Sequence, residues 1–455
     1  MAVWSAVNLS ALATGLRLDA EYYQPLYLAD ARKLTKVGAS PIGSFAFVTD
    51  GIHASPDEVE ENGVRYLSAK CVKDNAFSLG DALQISALQH AANPRTSLRE
   101  NDVLITTVGT IGNTAVVPRD ILPANADRHL GIVRINPDSG IDPYYLATIL
   151  NCEYGRFQSL REATGNVQLN LFIEKIKELR IPILACADEV AQQTRAAYKK
   201  RHESAKSIDA AETKLMEALG LDHIDLSSQK CYARRFSELQ AGNRFGAEYY
   251  MPCKKRALDA LAKLPHLTIA DHAPSIREMW DPAKACKDQM VQNFDVTSAI
   301  EPFIDDAEPQ SAVEIGSLKK RFRAGDVVIS RLRSYLKEIA VVRTSDTLPA
   351  VGSSEFIVLR PKSGGISAET LMVFLRCPLV QTVLKWSQDG SNHPRFAEED
   401  LLAIPIPDAV LSVQKKIDAL VKEAIEARRE SARLLDEAKK TVEDMIAGAS
   451  SGKGR

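Results

Sequence analysis

Two long segments of the chain follow a helical pattern of apolar and polar residues without interruption. Residues 183–219 and 408–447 contain neither glycine nor proline. Apolar residues recur in both segments three and four positions apart, as they do on one face of a helix. Continuous helices over these 37 and 40 residues would be about 55 and 60 Å long.

The apolar positions predict that these two helices pair with each other. The predicted seam of the first helix contains Val190, Ala197, Ala205, Ile208, Ala211, Leu215 and Leu219. The predicted seam of the second helix has the rhythm of a coiled coil and contains Ile417, Leu420, Ala424, Ala427, Ser431, Leu434, Ala438, Thr441 and Met445. Neither stripe would keep a lone helix folded in water. We therefore expect an antiparallel pair; the alternative is an ordinary bundle helix on each globular body.

A strand-rich region precedes each long helix and predicts a β-hairpin. The segments "NDVLITTVGTIGNTAVVP" (residues 101–118) and "GDVVISRLRSYLKEIAVVR" (residues 325–343) each contain two apolar runs separated by a polar loop. A helical pattern follows from Asp142 and from Ser367, and then the polar loops "ATGNVQLN" and "SQDGSNHPRF". Both regions end in "IPI", at residues 181–183 and 404–406. The two regions therefore predict the same order of elements.

The openings of the two regions are also alike in sequence. "RLDAEYYQPLY" begins at Arg17 and "RFGAEYYMPCK" begins at Arg244, and residues 9–25 match residues 236–252 at nine of seventeen positions. Similarity at so long a period indicates a duplicated domain. The predicted fold is α+β, with two tandem similar domains, each followed by a long helix, and an approximate two-fold relation between them.

The predicted boundaries follow from this duplication. Residues 1–182 form the first domain, residues 183–220 the first long helix and residues 221–235 a linker. Residues 236–407 form the second domain, residues 408–447 the second long helix and residues 448–455 a disordered tail.

Composition narrows the class of protein. With 45% apolar and 25% charged residues, and no apolar run of the roughly 18 residues that a membrane helix needs, we expect a cytoplasmic protein without membrane contact. The seven cysteines contain no CxxC pair and the eight histidines no HExxH spacing, so we expect no metal site. No nucleophile elbow is present. We therefore expect no catalytic residues and no cofactor on this chain.

Polar and basic side chains concentrate in the predicted loops, which suggests nucleic-acid contacts. Cationic side chains hold phosphates, whereas Arg, Asn and Gln read base edges. The candidates in the first domain are Thr106, Thr107, Thr110, Asn113, Asn166, Gln168 and Asn170. Those in the second domain are Lys319, Lys320, Arg321, Arg331, Arg333, Tyr335, Lys337, Asn392 and Arg395. The alternatives are a solvated strand face for the basic run and turn amides that bond their own backbone.

Together these motifs resemble the specificity (S) subunit of Type I restriction-modification systems. The resemblance rests on "RLDAEYYQP", the two hairpin segments, "IDPYYLATILN", "ATGNVQLNLFIEKIKELRIPI" and the long helix after each "IPI", and it extends over nearly the whole chain. It implies two target-recognition domains that each read half of a split double-stranded DNA site, with the paired helices as a spacer. It also implies two methyltransferase subunits that bring S-adenosylmethionine, and restriction/translocase subunits that use ATP and Mg²⁺.

Three other interpretations remain open from the residues alone. The first is a protein-protein scaffold, the second is a DNA-recognition subunit of a related phage-defence system, and the third is a stand-alone methyltransferase. Salt distinguishes the first, because phosphate-driven binding weakens steeply with ionic strength. The third requires that the purified chain bind the methyl donor itself.

Overall fold

The computed structural model describes residues 4–9, 12, 17–59, 62–165, 168–242, 246–345 and 347–451. The chain divides into two units. Unit 1 comprises Met1–His202 and Arg428–Arg455, and unit 2 comprises Glu203–Ala427. Each unit therefore contains one α+β domain and a part of both long helices, as the duplicated sequence predicts.

Unit 1 is built from short strands and helices. Its helices are α1 (Pro25–Lys36), α2 (Ala87–Ala92), α3 (Pro143–Asn151), α4 (Glu153–Glu162), α5 (Ile173–Glu178) and the first part of α6 (Ala187–Leu219). Its strands are β1 (Ser40–Pro41), β2 (Ala46–Asp50), β3 (Val64–Leu67), β4 (Val72–Lys73), β5 (Ala76–Phe77), β6 (Leu83–Ile85), β7 (Val103–Thr106), β8 (Thr114–Val116), β9 (Ala124–Ala126), β10 (Leu130–Ile135) and β11 (Arg180–Ile181).

Unit 2 continues with the second set of elements. Its helices are α7 (Phe236–Gly242), α8 (Pro252–Ala262), α9 (Ile269–His272), α10 (Ala368–Arg376), α11 (Pro378–Lys385), α12 (Glu398–Leu402) and the first part of α13 (Asp408–Ser451). Its strands are β12 (His266–Thr268), β13 (Ser275–Ile276), β14 (Met279–Trp280), β15 (Met290–Phe294), β16 (Phe303–Ile304), β17 (Gln310–Ser311), β18 (Lys319–Phe322), β19 (Val327–Ser330), β20 (Ile339–Val342), β21 (Ala350–Gly352), β22 (Phe356–Leu359), β23 (Gln388–Asp389), β24 (Arg395–Phe396) and β25 (Pro405–Pro407).

Both predicted hairpins are present, each inside a larger sheet. In unit 1 the strand order is β2-β10-β7-β8, and in unit 2 it is β13-β22-β19-β20-β16. The strands β7 and β8 pair antiparallel, as do β19 and β20. The two domains therefore share a sheet order over four strands.

The predicted hairpins have two buried faces. In unit 1 Val103 and Ile105 belong to the core that contains α3, whereas Leu104 lies in a second core on the other face. In unit 2 Val327 and Val328 divide in the same way between two cores. Successive side chains of a strand point to opposite faces, so the continuous β-branched runs belong to strands covered on both sides.

A buried aspartate fixes the start of each hairpin in the same way. Asp102 accepts hydrogen bonds from the guanidinium of Arg134 at 2.8 and 2.7 Å. Asp326 accepts the equivalent bonds from Arg360 at 2.7 and 2.9 Å. A paired guanidinium satisfies both oxygens of a buried carboxylate, which explains the repeated Asp before each β-branched run.

The helical pattern after each hairpin forms two helices rather than one. α3 ends at Asn151 and α4 begins at Glu153, while α10 ends at Arg376 and α11 begins at Pro378. The residues between them, Cys152 and Cys377, are extended and buried. Burial raises the pKa of both thiols to about 12, so both stay protonated near neutral pH.

The long helices differ from their predicted bounds at two ends. α6 begins at Ala187 rather than at residue 183, because the Tyr145 hydroxyl donates to the Pro182 oxygen at 2.8 Å and accepts from the Leu184 amide at 3.2 Å. The α13 helix continues to Ser451, so residues 448–451 of the predicted tail are helical. Residues 452–455 lie outside the described residues.

The long helices pair antiparallel within unit 1. The Ser431 hydroxyl on α13 donates to the Ala197 backbone oxygen on α6 at 2.7 Å. Nearer the start of α6, Val190 shares a core with Ala438 and Val442, which lie nearer the end of α13. As the residue number rises along α6, the number of the contacting residue on α13 falls, so the two helices run antiparallel.

The same type of contact joins the helices within unit 2, with their roles exchanged. The Ser204 hydroxyl on α6 donates to the Ala424 backbone oxygen on α13 at 2.7 Å. Both residues are at most 5% exposed. Small side chains let two helix backbones approach closely, which a hydroxyl-to-carbonyl bond between them requires. The predicted pairing is confirmed in each unit.

The seam itself differs in part from the prediction. On α6, Ser204 is buried and Ala205 is exposed, so the hydroxyl occupies the place that the pattern assigned to the alanine. On α13, the predicted positions Ile417, Ala424, Ser431 and Ala438 are buried, whereas Met445 is 40% exposed. The second buried column lies one residue later than predicted, at Val421, Leu435, Val442 and Ile446.

Candidate nucleic-acid interface

The loop between β7 and β8 in unit 1 is held by its own backbone and by Thr106. The Thr106 hydroxyl donates to the Thr110 backbone oxygen and accepts from the Asn113 amide at 2.9 Å. Gly109 and Gly112 have φ angles of 76° and 81°, a left-handed conformation that glycine adopts without a steric cost. Residues 107–113 therefore form a tight loop with a defined shape.

The second candidate loop of unit 1 lies directly against the first. The Leu171 amide donates to the Thr107 oxygen at 2.9 Å, and Val108 and Asn170 form an antiparallel bridge. The second loop is closed on itself, because Thr164 and Asn170 exchange backbone hydrogen bonds of 2.9 and 2.8 Å. The structure thus brings together the two loops that the sequence singled out.

In unit 2 the two candidate loops are joined by the equivalent backbone contacts. The Phe396 amide donates to the Arg331 oxygen at 3.2 Å, and Leu332 and Arg395 form the antiparallel bridge. A third contact fixes the start of each loop. The Arg331 amide donates to the Glu355 oxygen at 3.0 Å, as the Thr107 amide donates to the His129 oxygen at 3.0 Å in unit 1.

The side chains on these two equivalent frames differ in chemistry. Among the described residues of these two loops in unit 1, the exposed polar side chains are Thr110 and Gln168, which are neutral. In unit 2 the frame presents Arg331 and Arg333, and Tyr335 is 57% exposed. A neutral surface and a cationic surface favour different contacts with the same polyanion.

Arg333 links the two loops of unit 2. Its Nη2 atom donates to the Asn392 backbone oxygen at 3.2 Å and lies 3.1 Å from His393 Nδ1. Asn392 and His393 are exposed. The loop after α11 therefore places an amide, an imidazole and a guanidinium on one surface.

A carboxylate balances part of the positive charge in unit 2. Arg395 forms an ion pair with Glu355, with an Nη2 to Oε1 distance of 2.7 Å. The hydrogen bond from Arg395 holds the pKa of Glu355 below its ordinary value. Any phosphate that approaches Arg395 must compete with this carboxylate, so Arg395 is a weaker candidate for a phosphate contact than Arg331 or Arg333.

The basic run from Lys319 to Lys337 is divided between two sheets. Lys319, Lys320 and Arg321 lie on β18, which belongs to the sheet with order β14-β18-β21-β15-β17. Lys337 follows β19 in the other sheet. On β18, Arg321 lies 3.3 Å from Glu278. The expectation of one continuous basic cluster is therefore replaced by two separate groups.

Several other predicted residues lie below the surface or outside the described part of the chain. Thr106 is 1% and Thr107 is 5% exposed, so both support the loop from beneath. Asn113 is half-buried and accepts a hydrogen bond from Arg156 at 2.6 Å. Asn166 lies outside the described residues. DNA contact by the exposed candidates stays a prediction.

The structure adds two residues in unit 1 that the sequence reasoning missed. His129 contacts the hairpin loop through its backbone oxygen, and its Nδ1 atom lies 3.0 Å from Asp127. Arg128 beside it is exposed. The signal that could have found them is their place directly before β10, which pairs with β7. They add a cation to a loop surface that is otherwise neutral.

The repeated opening motif holds the frame of unit 1. Arg17 donates to the backbone oxygens of Glu162 and Ala163 at 3.4 and 3.0 Å, directly before the second loop. The guanidinium carbons of Arg17 and Arg161 lie 4.3 and 4.1 Å from the ring centre of Tyr22. Such cation-π contacts are stabilising. The motif "RLDAEYY" therefore holds the end of α4 in place.

In unit 2 the corresponding tyrosine of the repeated motif, Tyr249, contacts a carboxylate and a lysine. The Tyr249 hydroxyl donates to Asp400 on α12 at 2.8 Å, and Lys254 Nζ lies 3.3 Å from the Tyr249 ring centre. Arg244, the counterpart of Arg17, lies outside the described residues.

In the described residues neither a metal-ligating cluster nor a membrane-spanning helix is present. No group of three or more His, Cys, Asp or Glu side chains there is arranged to hold a metal ion. No helix in that part of the chain is both long and apolar enough to cross a bilayer.

Comparisons with known proteins give structural neighbours only. No protein-family model matches the chain, and no curated protein matches it. The structural neighbours include an S subunit of a Type I restriction-modification system, an HsdS subunit and a chain from a type I R-M system. The S subunit from M. genitalium has 13% identity and a TM-score of 0.39, and the alignment covers 91% of this chain and 96% of that one.

Two other neighbours give similar values. The HsdS subunit from Thermoanaerobacter tengcongensis has 14% identity and a TM-score of 0.29, covering 91% of this chain and 96% of that one. A chain from a structure on complex assembly and conformational transition of the type I R-M system has 14% identity and a TM-score of 0.30, covering 91% and 97%.

Proposed function

We propose that this chain is a non-catalytic specificity subunit that recognises a bipartite double-stranded DNA target, one half-site for each unit. The observation that carries the proposal is the repeated pair of loops. In each unit a hairpin loop and a post-helix loop are joined by equivalent backbone hydrogen bonds, while their exposed side chains differ. A constant frame with variable side chains suits recognition of two different short sequences.

The chemistry of the loops fits duplex DNA. Arg side chains hold phosphates or read guanine, and Gln and Asn read adenine in the major groove. The exposed Gln168 in unit 1 and the Arg331, Arg333 and Asn392 group in unit 2 provide these donors. With a net charge of −2 over the whole chain, the binding energy has to come from such local groups.

The partners follow from the resemblance of the sequence. We propose that α6 and α13 serve as the spacer between the half-sites, and that two methyltransferase subunits dock on the chain. Restriction/translocase subunits would complete the assembly. S-adenosylmethionine, ATP and Mg²⁺ would then be bound by those partners.

The test is selection from random DNA. The full chain, isolated together with the subunits that co-purify with it, is mixed with a duplex library, and the bound fraction is sequenced. We expect two conserved blocks separated by a gap of fixed length, and an affinity that falls steeply with salt. A single block, or binding that is insensitive to salt, would contradict the proposal.

A further inference from the structure

The hairpin loop of unit 2 contains two residues in an unfavourable backbone conformation. Arg333 and Lys337 have φ angles of 48° and 51°, whereas the equivalent loop of unit 1 has Gly109 and Gly112 at its left-handed positions. For a residue with a Cβ atom this conformation costs about 1–2 kcal/mol. The loop of unit 2 therefore needs stabilising contacts that the loop of unit 1 does not.

Arg376, the last residue of α10, supplies such contacts from beneath. Its Nη1 atom donates to the backbone oxygens of Lys337 and Ile339, both at 3.0 Å, and lies 3.4 Å from the Ile300 oxygen. Lys337 is one of the two left-handed residues, and Ile339 begins β20. One guanidinium thus fixes the point where the loop rejoins the sheet.

Two acidic side chains of unit 2 influence the pKa of the Arg376 guanidinium. Burial lowers the pKa of Arg376, while the negative charges of Glu212 on α6 and of Glu301 act in the opposite direction. Burial raises the pKa of Glu212, and the positive charges of Lys337 and Arg376 oppose that shift. The long helix α6 therefore provides a counter-charge beneath the end of the loop.

In unit 1 the residue at the equivalent position has a neutral side chain, and it also bonds the backbone where the hairpin loop ends. Asn151, the last residue of α3, accepts from the Thr114 amide at 3.0 Å and donates to the Thr114 oxygen at 2.7 Å. Arg156 donates to Asn151 at 3.1 Å and to Asn113 at 2.6 Å. Thr114 begins β8, as Ile339 begins β20.

We propose that Arg376 and Asn151 are positioning residues for base recognition, each fixing the shape of one hairpin loop without contacting DNA. The inference rests on the proposed function. Its physical basis is that the two units differ both in the left-handed residues of the hairpin loop and in the side chain that bonds the end of that loop. In unit 1, where glycines adopt the left-handed conformation freely, the Asn151 amide bonds the backbone of Thr114 at the end of the loop. In unit 2, where Lys337 must adopt it, the Arg376 guanidinium bonds the backbone oxygens of Lys337 and Ile339.

The experiment uses the random-DNA selection with variants of the full chain. Arg376→Met removes the donors and keeps most of the side-chain volume. We expect it to flatten the sequence preference of one block by about 5- to 30-fold, the factor that corresponds to the conformational cost at one residue. Asn151→Leu is expected to flatten the other block, because it acts on the loop of unit 1.

A second substitution separates positioning from general loss of stability. Lys337→Gly removes the left-handed cost, so Arg376→Met combined with Lys337→Gly should regain most of the lost preference. Lys337→Gly alone controls for a phosphate contact by Lys337, which would weaken binding equally for all sequences. Arg277→Met is the matched control, since Arg277 is an exposed arginine of unit 2 that pairs with Glu398 at 3.0 Å, and its hydrogen bonds go to that carboxylate rather than to a backbone oxygen of either loop.

The outcomes are distinct. Loss of preference in one block for each variant, with rescue by Lys337→Gly and no effect of Arg277→Met, supports the inference. Unchanged blocks, equal flattening of both blocks, or failure of the rescue overturns it while leaving the proposed function intact. If the unmodified chain selects no two-block sequence, the proposed function fails and the inference fails with it. Should Arg376→Met be insoluble, Arg376→Lys keeps the charge with fewer donors and is expected to have the same effect in weaker form.

Discussion

Replacing Ser204 with leucine should open the helix pair of unit 2, whereas the same change one residue later should not. Ser204 is buried and its hydroxyl donates to the Ala424 oxygen at 2.7 Å. Ala205 is exposed on the same helix. Ser204→Leu and Ala205→Leu therefore introduce the same side chain into the seam and onto the surface.

The expected magnitude follows from two contributions. Extra methylene groups in a closely packed core cost about 1–3 kcal/mol, and loss of the hydroxyl-to-carbonyl bond adds about 0.5–1.5 kcal/mol. Ser204→Leu should therefore destabilise the pair by about 1.5–4.5 kcal/mol. Ala205→Leu should stay within about 0.5 kcal/mol, as for most surface substitutions.

Hydrogen exchange measured by mass spectrometry reports the opening of the helix pair separately for each peptide. A chain with two units need not unfold in one step, so a global unfolding midpoint would mix several transitions. Peptides from residues 203–219 and 410–427 should exchange about 10- to 1,600-fold faster in Ser204→Leu, since each 1.4 kcal/mol is a factor of ten in the opening equilibrium. Equal acceleration in both variants, or a larger effect of Ala205→Leu, would refute the assigned seam.

Three further predictions test the loops and their support. Arg333→Ala should lower the preference for one half-site by about 1–3 kcal/mol if the arginine reads a base; a uniform loss, with a salt dependence reduced by about one counterion, would instead indicate a phosphate contact. The pKa of Glu355 is held below its ordinary value of 4.5 by Arg395, so the pair stabilises unit 2 above that pH and the contribution is lost as the pH falls through the folded-state pKa. The difference in thermal stability between Glu355→Gln and the unmodified chain should therefore shrink on acidification from neutral pH to about pH 3, and a constant difference would count against the pair. Tyr198→Phe should destabilise unit 1 by about 1–3 kcal/mol, because the Val116 amide donates to the buried Tyr198 hydroxyl at 3.0 Å; unchanged exchange of residues 114–118 would contradict this role.

The order of elements could be predicted from the sequence because each element carries its own local signal. Both hairpins, the helical patterns and the two glycine-free segments appear where the periodicity places them. The sequence did not predict that the two candidate loops of each unit lie against each other. Backbone hydrogen bonds between them, such as that from Leu171 to Thr107, are invisible to periodicity.

The errors arose where two residues satisfied the same pattern. Ser204 and Ala205 both fit a helical stripe, and only the position of the partner helix decides which one is buried. Lys319 and Lys337 are close in sequence, but β18 and β19 join different sheets. Sheet membership depends on long-range pairing, which hydrophobic periodicity does not encode.

The backbone bonds of the loop frame explain how two copies can keep one scaffold and change their chemistry. At the first loop position, Thr107 and Arg331 each use the amide to bond the residue directly before the neighbouring strand, β10 or β22, and the oxygen to bond the second loop. Neither bond involves the side chain, so the frame tolerates threonine and arginine alike. The requirement that does depend on the side chain is the left-handed conformation, which glycines meet in unit 1 and Arg376 supports in unit 2. A change of loop chemistry from glycine to a longer residue is therefore expected to require a compensating change beneath the loop, at the last residue of the helix that follows the sheet.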